Sequence, residues 1–270
     1  MSLEVDQPDQ VERCRDEVAS LTGGKLDYLV NNAGRSSFSA LSSHTSQLGS
    51  SWEALEKEVE ALHTNSNPDY TIPALDATLP EIQSTFSTNL FAVMHICTVF
   101  SPLLVRSRGT IVQIGSIAAI IPYAFGSVYN ASKAALHSYS DSLRVELAPF
   151  GVSVITVVTG GVKSNIARTE RVLPEGSLYA DLEENYQRRQ KYSQEVGMDN
   201  AVYARKVVGE VLAGDGWIWK RRTIWAGGSA NMVKWVSMFL GTESGLWDWL
   251  MTRMFGLGRL YQKDFKKKEL

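Results

Sequence analysis

Cysteine is scarce in this chain of 270 residues, which holds only Cys14 and Cys97. Two cysteines do not make a disulfide framework, and they read as small apolar residues of a reducing compartment. Histidine is nearly as rare. His44, His63, His95 and His137 stand in no ligand-like spacing, so no metal site is expected. An excess of charge of one sign is also lacking. The chain has 27 basic and 29 acidic residues and a formal net charge of -2, which gives no reason to expect nucleic acid. No run of about 18 uncharged apolar residues occurs, so no segment reads as a clear membrane span. The opening Met1-Ser-Leu-Glu-Val-Asp has no signal-peptide character. The bulk composition, 44% hydrophobic and 21% charged, suits one α/β domain with a sizeable core.

The chemistry concentrates between Gly115 and Lys133. Tyr129 and Lys133 are four residues apart, so a helix places them on one face. A phenol in water ionises near pH ~10, and a fixed ammonium beside it favours the phenolate and makes it a better proton shuttle. Ser116 ends the apolar run that starts at Gly109, which reads as a buried strand. A hydroxyl there can hold a substrate oxygen while the tyrosine gives or takes its proton. A tyrosine and a lysine at helical spacing are more often surface chemistry. What raises this pair is the strand ending in serine before it and the earlier strand ending in Asn31-Asn32-Ala33-Gly34.

Together these residues resemble the short-chain dehydrogenase/reductase family, over about residues 1–35 and 70–228. The resemblance implies an α/β fold with a Rossmann-like doubly wound parallel sheet. It also implies a catalytic group of Asn89, Ser116, Tyr129 and Lys133, with Asn89 distorting its helix and holding a water. Cofactor contacts would come from Glu4, Asn31, Asn32, Ala33, Gly34, Tyr129, Lys133, Val162 and Ser164. The cofactor implied is NADP, as NADPH.

Two stretches depart from the pattern. The family's first strand, its glycine-rich turn Thr-Gly-x-x-x-Gly-x-Gly and the helix after it do not occur in these 270 residues. Residues 2–5 match the family's third strand instead, so the fold is expected to be N-terminally truncated by roughly 50–60 residues. Between 36 and 69 lies an insert in which serine fills eight of the sixteen positions from Ser36 to Ser51. It reads as disordered or partly helical from Trp52, and as either a surface excursion or translated intron, with the irregular start favouring the latter.

In chain order, a helix is expected from Pro8 to Leu21, with Val11, Cys14, Val18 and Leu21 inward and Gly23-Gly24 closing it. A strand follows at Leu26–Val30, then a helix entered at Thr78-Leu-Pro80 and running past Asn89. A strand at 109–116, a helix at 127–149 and a strand at 151–158 come next. The chain continues with a polar stretch at 165–200 that the resemblance makes a mobile substrate lid, a helix at 200–212 and a strand at 222–226. Residues 1–228 would form the catalytic domain and 229–270 an amphipathic tail. Six of the seven tryptophans lie between Trp217 and Trp249. Met232, Val236, Phe239 and Leu240 are read as one apolar face, and Leu246, Leu250, Met254 and Leu257 as a second. Helices of this kind suit a membrane interface through 229–260, although a pocket wall or a subunit interface would look the same. Lys267 and Lys268 occupy the places of a dilysine retrieval signal.

Residues 70–76, 129–133, 157–164 and 225–230 are similar to the fungal NADPH-dependent 1-acyldihydroxyacetone-phosphate reductases. That implies reduction of a lipid ketone to 1-acylglycerol 3-phosphate on the way to phosphatidic acid. It implies a cytoplasmic-face location at endoplasmic reticulum or lipid droplet. A homo-oligomer is compatible with the sequence. A hydroxysteroid or retinoid dehydrogenase of the same family, or an idle fragment lacking the cofactor turn, are the alternatives.

Overall fold

The computed structural model describes residues 7–32, 38–41, 71–163, 171–213 and 222–260. Among them, five strands form one sheet in the order β2-β1-β3-β4-β5. These are β1 (Tyr28–Asn32), β2 (Phe38–Leu41), β3 (Thr110–Ile114), β4 (Ser153–Thr159) and β5 (Thr223–Ala226). The ladders β1–β3, β3–β4 and β4–β5 are parallel, while β2 runs antiparallel to β1 with Leu41 opposite Tyr28. Part of the serine-rich insert is thus a strand at the sheet edge. The rest of 36–69 lies outside the described residues.

The β-branched runs explain the sheet. Alternate side chains of a strand face opposite sides, so a strand covered on both faces reads as apolar throughout. Leu29, Ile111 and Val154 enter one buried cluster with Val11, Val93, Ile96, Phe100, Leu104 and Leu136. Val30, Val112, Ile155, Val157 and Ile224 enter another with Tyr203, Ala204, Val207 and Val208. The first cluster is covered by α1 (Pro8–Thr22), α3 (Ala92–Ser107) and α4 (Ser127–Leu147), and the second by α6 (Asn200–Leu212). Helices on both faces of a mostly parallel sheet make this a doubly wound α/β fold. Leu21 does not face inward as expected. It is exposed and has no part in the cluster that Val11, Cys14 and Val18 join.

The helix over the centre of the sheet begins with a capping box, in which the Thr78 N–H donates to Glu81 Oε2 at 2.9 Å. It runs through α2 (Leu79–Phe86), a π-helical turn (Ser87–Phe91) and α3. By length and composition, Leu79–Ser107 could cross a membrane. Here its apolar side covers the sheet through Val93, Ile96, Phe100, Leu103 and Leu104. Pro102 sits inside α3 and has no N–H for the Thr98 carbonyl. The hydroxyl of Ser101 donates to that carbonyl at 2.8 Å and replaces the missing bond.

Cys97 of α3 is buried, as expected, but it is a polar hub rather than filler. Its sulfur accepts from Asn31 Nδ2 at 3.3 Å and Gln113 Nε2 at 3.4 Å. Burial pushes the thiol pKa up to about 11, against smaller opposing effects of Gln113, Tyr139 and Asn31. Asn31 and Gln113 are directly opposed on β1 and β3, so the thiol ties one helix to two neighbouring strands.

A third cluster forms beside the sheet from Ile121, Phe125, Leu182, Tyr186, Val233, Trp247, Met251 and Phe255. It joins α5 (Glu183–Val196) and the turn before it to α7 (Ala230–Leu240) and α8 (Leu246–Met254). Leu250, Met254 and Leu257 pack against this cluster, as does Val236. The second apolar face read from the tail is therefore largely occupied. On α7 the exposed stripe runs through Met232, Trp235, Met238 and Phe239, and Val236 is turned the other way.

The thiol hub gives a test. Cys97→Ala leaves buried amide donors of Asn31 and Gln113 without an acceptor, which is expected to cost about 1–3 kcal/mol in urea unfolding. Cys14→Ala, at a half-buried site without such partners, is expected to cost less.

Candidate active site

The parallel strands end on one side of the sheet, and the expected catalytic residues collect there. Ser116 lies two residues beyond β3 and is 8% exposed. Its hydroxyl accepts the Ala118 N–H at 3.1 Å and so caps the short 3-10 turn Ile117–Ala119. With that lone pair used, the hydroxyl proton is the group left to offer a substrate oxygen.

Tyr129 is half-buried in the first turn of α4. Lys133 follows one turn later and is 2% exposed. Its Nζ donates to the Ile114 carbonyl at 2.9 Å and lies 5.8 Å from the Tyr129 ring centroid. Burial pushes the Lys133 pKa down to about 7. Removal from water disfavours the cation, so an acceptor brought against Nζ would hold the charge in place. That charge is what could draw the tyrosine proton off.

Asn89 is buried within the π-helical turn, so the helix is distorted where the family resemblance requires it. Its amide nitrogen donates to Ser132 Oγ at 3.0 Å, and Ser132 Oγ donates to the Tyr129 carbonyl at 2.8 Å. The asparagine side chain thus locks α4 one residue before Lys133.

The expected cofactor residues divide. Val162 is buried just past β4 and forms a parallel bridge with Met198. The bridge uses the Gly161 carbonyl and the Lys163 N–H, so the amide groups of Val162 itself point to the other side. Thr159 bonds the hydroxyl of buried Tyr203 at 2.7 Å. Asn32 ends β1 opposite Ile114. Asn31 does not reach this side, because its amide turns into the core toward Cys97. Glu4, Ala33, Gly34 and Ser164 lie outside the described residues.

Two further residues belong to the site. His137, one turn past Lys133, accepts the Ser116 N–H on Nε2 at 3.2 Å. A lone histidine in a helix carries no spacing signal, so sequence reasoning passed over it. Phe125 has a φ of 59°, an uncommon left-handed conformation for a bulky side chain. Edge contacts from Tyr179, Tyr186 and Phe255, at 5.8–5.9 Å between ring centroids, hold it there. Tyr123, in the same loop, lies under the Arg189 guanidinium at 4.1 Å. The loop from Ser116 to Tyr129 is thereby fixed by α5. The stretch expected to act as a substrate lid is tied to the rest of the fold in its described part. Gln190 bonds both the N–H and the carbonyl of Arg171, and Tyr186 Oη donates to the Thr71 carbonyl at 2.6 Å.

Burial, aided by the nearby Lys133 charge and opposed by Asp141, pushes the His137 pKa down to about 4. The unfolded chain takes up this proton near pH 6.5, before the native state does. Stability from this group is therefore full above about pH 6.5 and falls as pH drops toward about 4, by on the order of 3 kcal/mol. Urea midpoints of His137→Gln are expected to show a shallower decline over that window than those of the unsubstituted chain. For Lys133 the native state sheds its proton first, so its destabilisation is full below about pH 7 and fades toward pH 10.5.

A short chain dehydrogenase family profile matches residues 43–172. A short-chain dehydrogenase of Aspergillus ruber is 34% identical over 267 residues, covering 98% of this chain and 80% of the relative. An NADPH-dependent 1-acyldihydroxyacetone phosphate reductase of Saccharomyces cerevisiae is 31% identical over 266 residues, covering 97% and 74%. Among solved structures, a short-chain dehydrogenase from Streptomyces avermitilis superposes with a TM-score of 0.59 at 22% identity, covering 100% of this chain and 78% of that one. One from Burkholderia cenocepacia in complex with NADP gives 0.57 at 19%, covering 88% and 72%. These two likenesses speak for the fold, while the identity shared with the fungal relatives along almost the whole sequence shows that the chain belongs to the short-chain dehydrogenase family.

Proposed function

We propose that this chain is an NADPH-dependent carbonyl reductase of a lipid-like ketone, with 1-acyldihydroxyacetone phosphate as substrate and 1-acylglycerol 3-phosphate as product. The observation that carries the reaction class is the placement of Ser116, Tyr129 and desolvated Lys133 around the end of β3. The substrate rests on likeness to two relatives named as reductases of that ketone. One is from Saccharomyces cerevisiae, and the other, from Schizosaccharomyces pombe, is 34% identical over 185 residues, covering 66% of this chain and 51% of the relative.

The site fits the nicotinamide end of the cofactor. Among the described residues Lys133 Nζ has one hydrogen-bond acceptor, the Ile114 carbonyl, and two further N–H directions that ribose hydroxyls would satisfy. The backbone of Val162 and Asn32 and the Tyr129 side chain complete this end, with Glu4, Ala33, Gly34 and Ser164 assigned by resemblance. When bound, NADPH supplies a hydride to the carbonyl carbon. Ser116 donates a hydrogen bond to the carbonyl oxygen, and Tyr129 gives that oxygen its proton as negative charge develops. Lys133, held charged by its acceptors, stabilises the phenolate left behind. Asn89 keeps its helix distorted, so that a backbone carbonyl of the π turn can hold the water that returns a proton to the tyrosine.

The exposed face of α7 supports a lipid surface as partner. Trp235 and Phe239 stack at 5.9 Å, and Met232 and Met238 extend the stripe. Lys234 lies 5.4 Å over Trp235, and Arg253 lies 5.8 Å over the exposed Trp249. Aromatic rings bordered by cations suit anionic headgroups above an apolar layer. With the resemblance to the fungal reductases, this face leads us to propose a location at the cytoplasmic face of endoplasmic reticulum or lipid droplet.

Two measurements test these readings. Tyr129→Phe is expected to lower turnover of 1-acyldihydroxyacetone phosphate by at least about 10²-fold, with NADPH affinity, read by tryptophan quenching, nearly unchanged. Unaltered turnover would remove Tyr129 from the mechanism. Replacing Trp235 and Phe239 by serine is expected to lower binding to anionic phosphatidylserine vesicles by about 10-fold or more. Equal sedimentation with vesicles before and after that change would sink the membrane reading.

A further inference from the structure

The β3 ladder stops just short of Ser116. Gly115 N–H still donates to the Val157 carbonyl of β4 at 2.8 Å, but the next N–H, on Ser116, goes to the side chain of His137. The carbonyl just before Gly115, on Ile114, is taken by Lys133. Lys133 and His137 lie one turn apart on the same face of α4. One helix face thus grips the strand end on both sides of a single residue, by a cation on a carbonyl and an imidazole on an N–H.

The residue between the two grips leaves no room for anything but hydrogen. A Cβ on Gly115 would stand 2.0 Å from His137 Nε2 and 2.7 Å from His137 Cδ2. Glycine is required here for close approach of the imidazole and not for an unusual φ. The contact also fixes the chemistry of the ring. Nε2 must be unprotonated to accept the Ser116 N–H, so the neutral ring carries its proton on Nδ1. The Ser116 hydroxyl is attached to a backbone held in this way, with the Ala118 N–H as its other restraint.

We propose that His137 is a positioning residue for carbonyl reduction, setting where the Ser116 hydroxyl meets the substrate oxygen by holding the Ser116 N–H. The role given to Ser116 rests on the reductase reading above, while the imidazole contact does not. A misplacement of about 1 Å at a reacting group can cost on the order of 10²-fold in rate, which sets the scale of the expected effect. His137→Leu removes the acceptor. It is expected to lower kcat by about 10- to 100-fold while KM for the ketone and NADPH affinity stay within about twofold. His137→Gln can present an amide oxygen to the same N–H and is expected to recover most of kcat.

The test combines kinetics with nitrogen NMR, which needs no substrate. The wild-type spectrum should show His137 with an unprotonated Nε2 and a protonated Nδ1 at neutral pH. The Ser116 amide proton should move upfield in the Leu variant and stay near its wild-type position in the Gln variant. A protonated Nε2 overturns the proposal. So does a folded Leu variant with full kcat, or one in which NADPH affinity falls as far as kcat. Should the Leu variant fail to fold, the Gln variant decides. Wild-type kcat with the Ser116 amide restored supports the clamp, and wild-type kcat with that amide displaced overturns it. If the wild type turns over no ketone, the reductase reading fails and the positioning role in reduction falls with it. The nitrogen and amide shifts then still decide whether His137 holds Ser116.

Discussion

The constraint on which this structure depends is an ammonium taken out of water. Lys133 is almost wholly enclosed and has, among the described residues, one hydrogen-bond acceptor, a backbone carbonyl at the end of the central strand. Desolvation on that scale is unfavourable to folding, and the fold retains it only because helix and strand are held in one relative position. Much of the surrounding sequence serves that purpose. Gly115 lets the helix close in, Ser132 and Asn89 fix its rotation, and Leu136 of the same helix is wholly buried in the first cluster. The same burial lowers the lysine pKa toward neutrality, so the feature that is unfavourable to folding is the one that makes the lysine responsive to what binds beside it.

Much of this was legible in the sequence because the signals are local. Thr-Ile-Val-Gln-Ile and Ser-Val-Ile-Thr-Val-Val announce buried strands by composition alone, and Thr78 with Pro80 announces a helix start through N-cap and first-turn preferences. Tyr129 and Lys133 were legible because a helix converts a four-residue spacing into a shared face. What was not legible depends on partners distant in sequence. Asn31 looks like a site residue from its neighbours, yet its amide faces a thiol 66 residues away. Cys97 looked like apolar filler because a thiol's use as an acceptor shows only when amides arrive from two strands. The pairing of β2 could not be read, since its serine-rich context has the composition of a solvated loop and a sheet edge can recruit such a segment through backbone groups alone.

The tail illustrates the limits of periodicity. Apolar residues at helical spacing were evident in both C-terminal helices, but a helix with apolar residues on most of its circumference does not reveal which side will meet the protein. Packing settles it differently in the two. In α8, Trp247 and Met251, with Phe255 just past its end, are core residues of the third cluster, and Trp249 is the large apolar residue left exposed. In α7, Val233 turns in and the larger residues Trp235, Met238 and Phe239 stay out. The third cluster therefore belongs jointly to α5 and the tail, and the strained loop carrying Phe125 leans on both.

The position of Ser116, Tyr129, Lys133 and His137 within the topology has a consequence for folding. All four lie in the single crossover β3–α4–β4, and their mutual contacts are closed without any residue before Thr110. Chain closure over that crossover is short beside the closure needed to bring β1 against β3, where everything from Asn32 to Thr110 must be looped out. The contacts among these four residues are therefore closed within one compact supersecondary unit, which Asn89 braces from the preceding helix. The sheet edge beyond β1 can gain, lose or exchange strands, in assembly as in evolution, without that geometry having to be rebuilt.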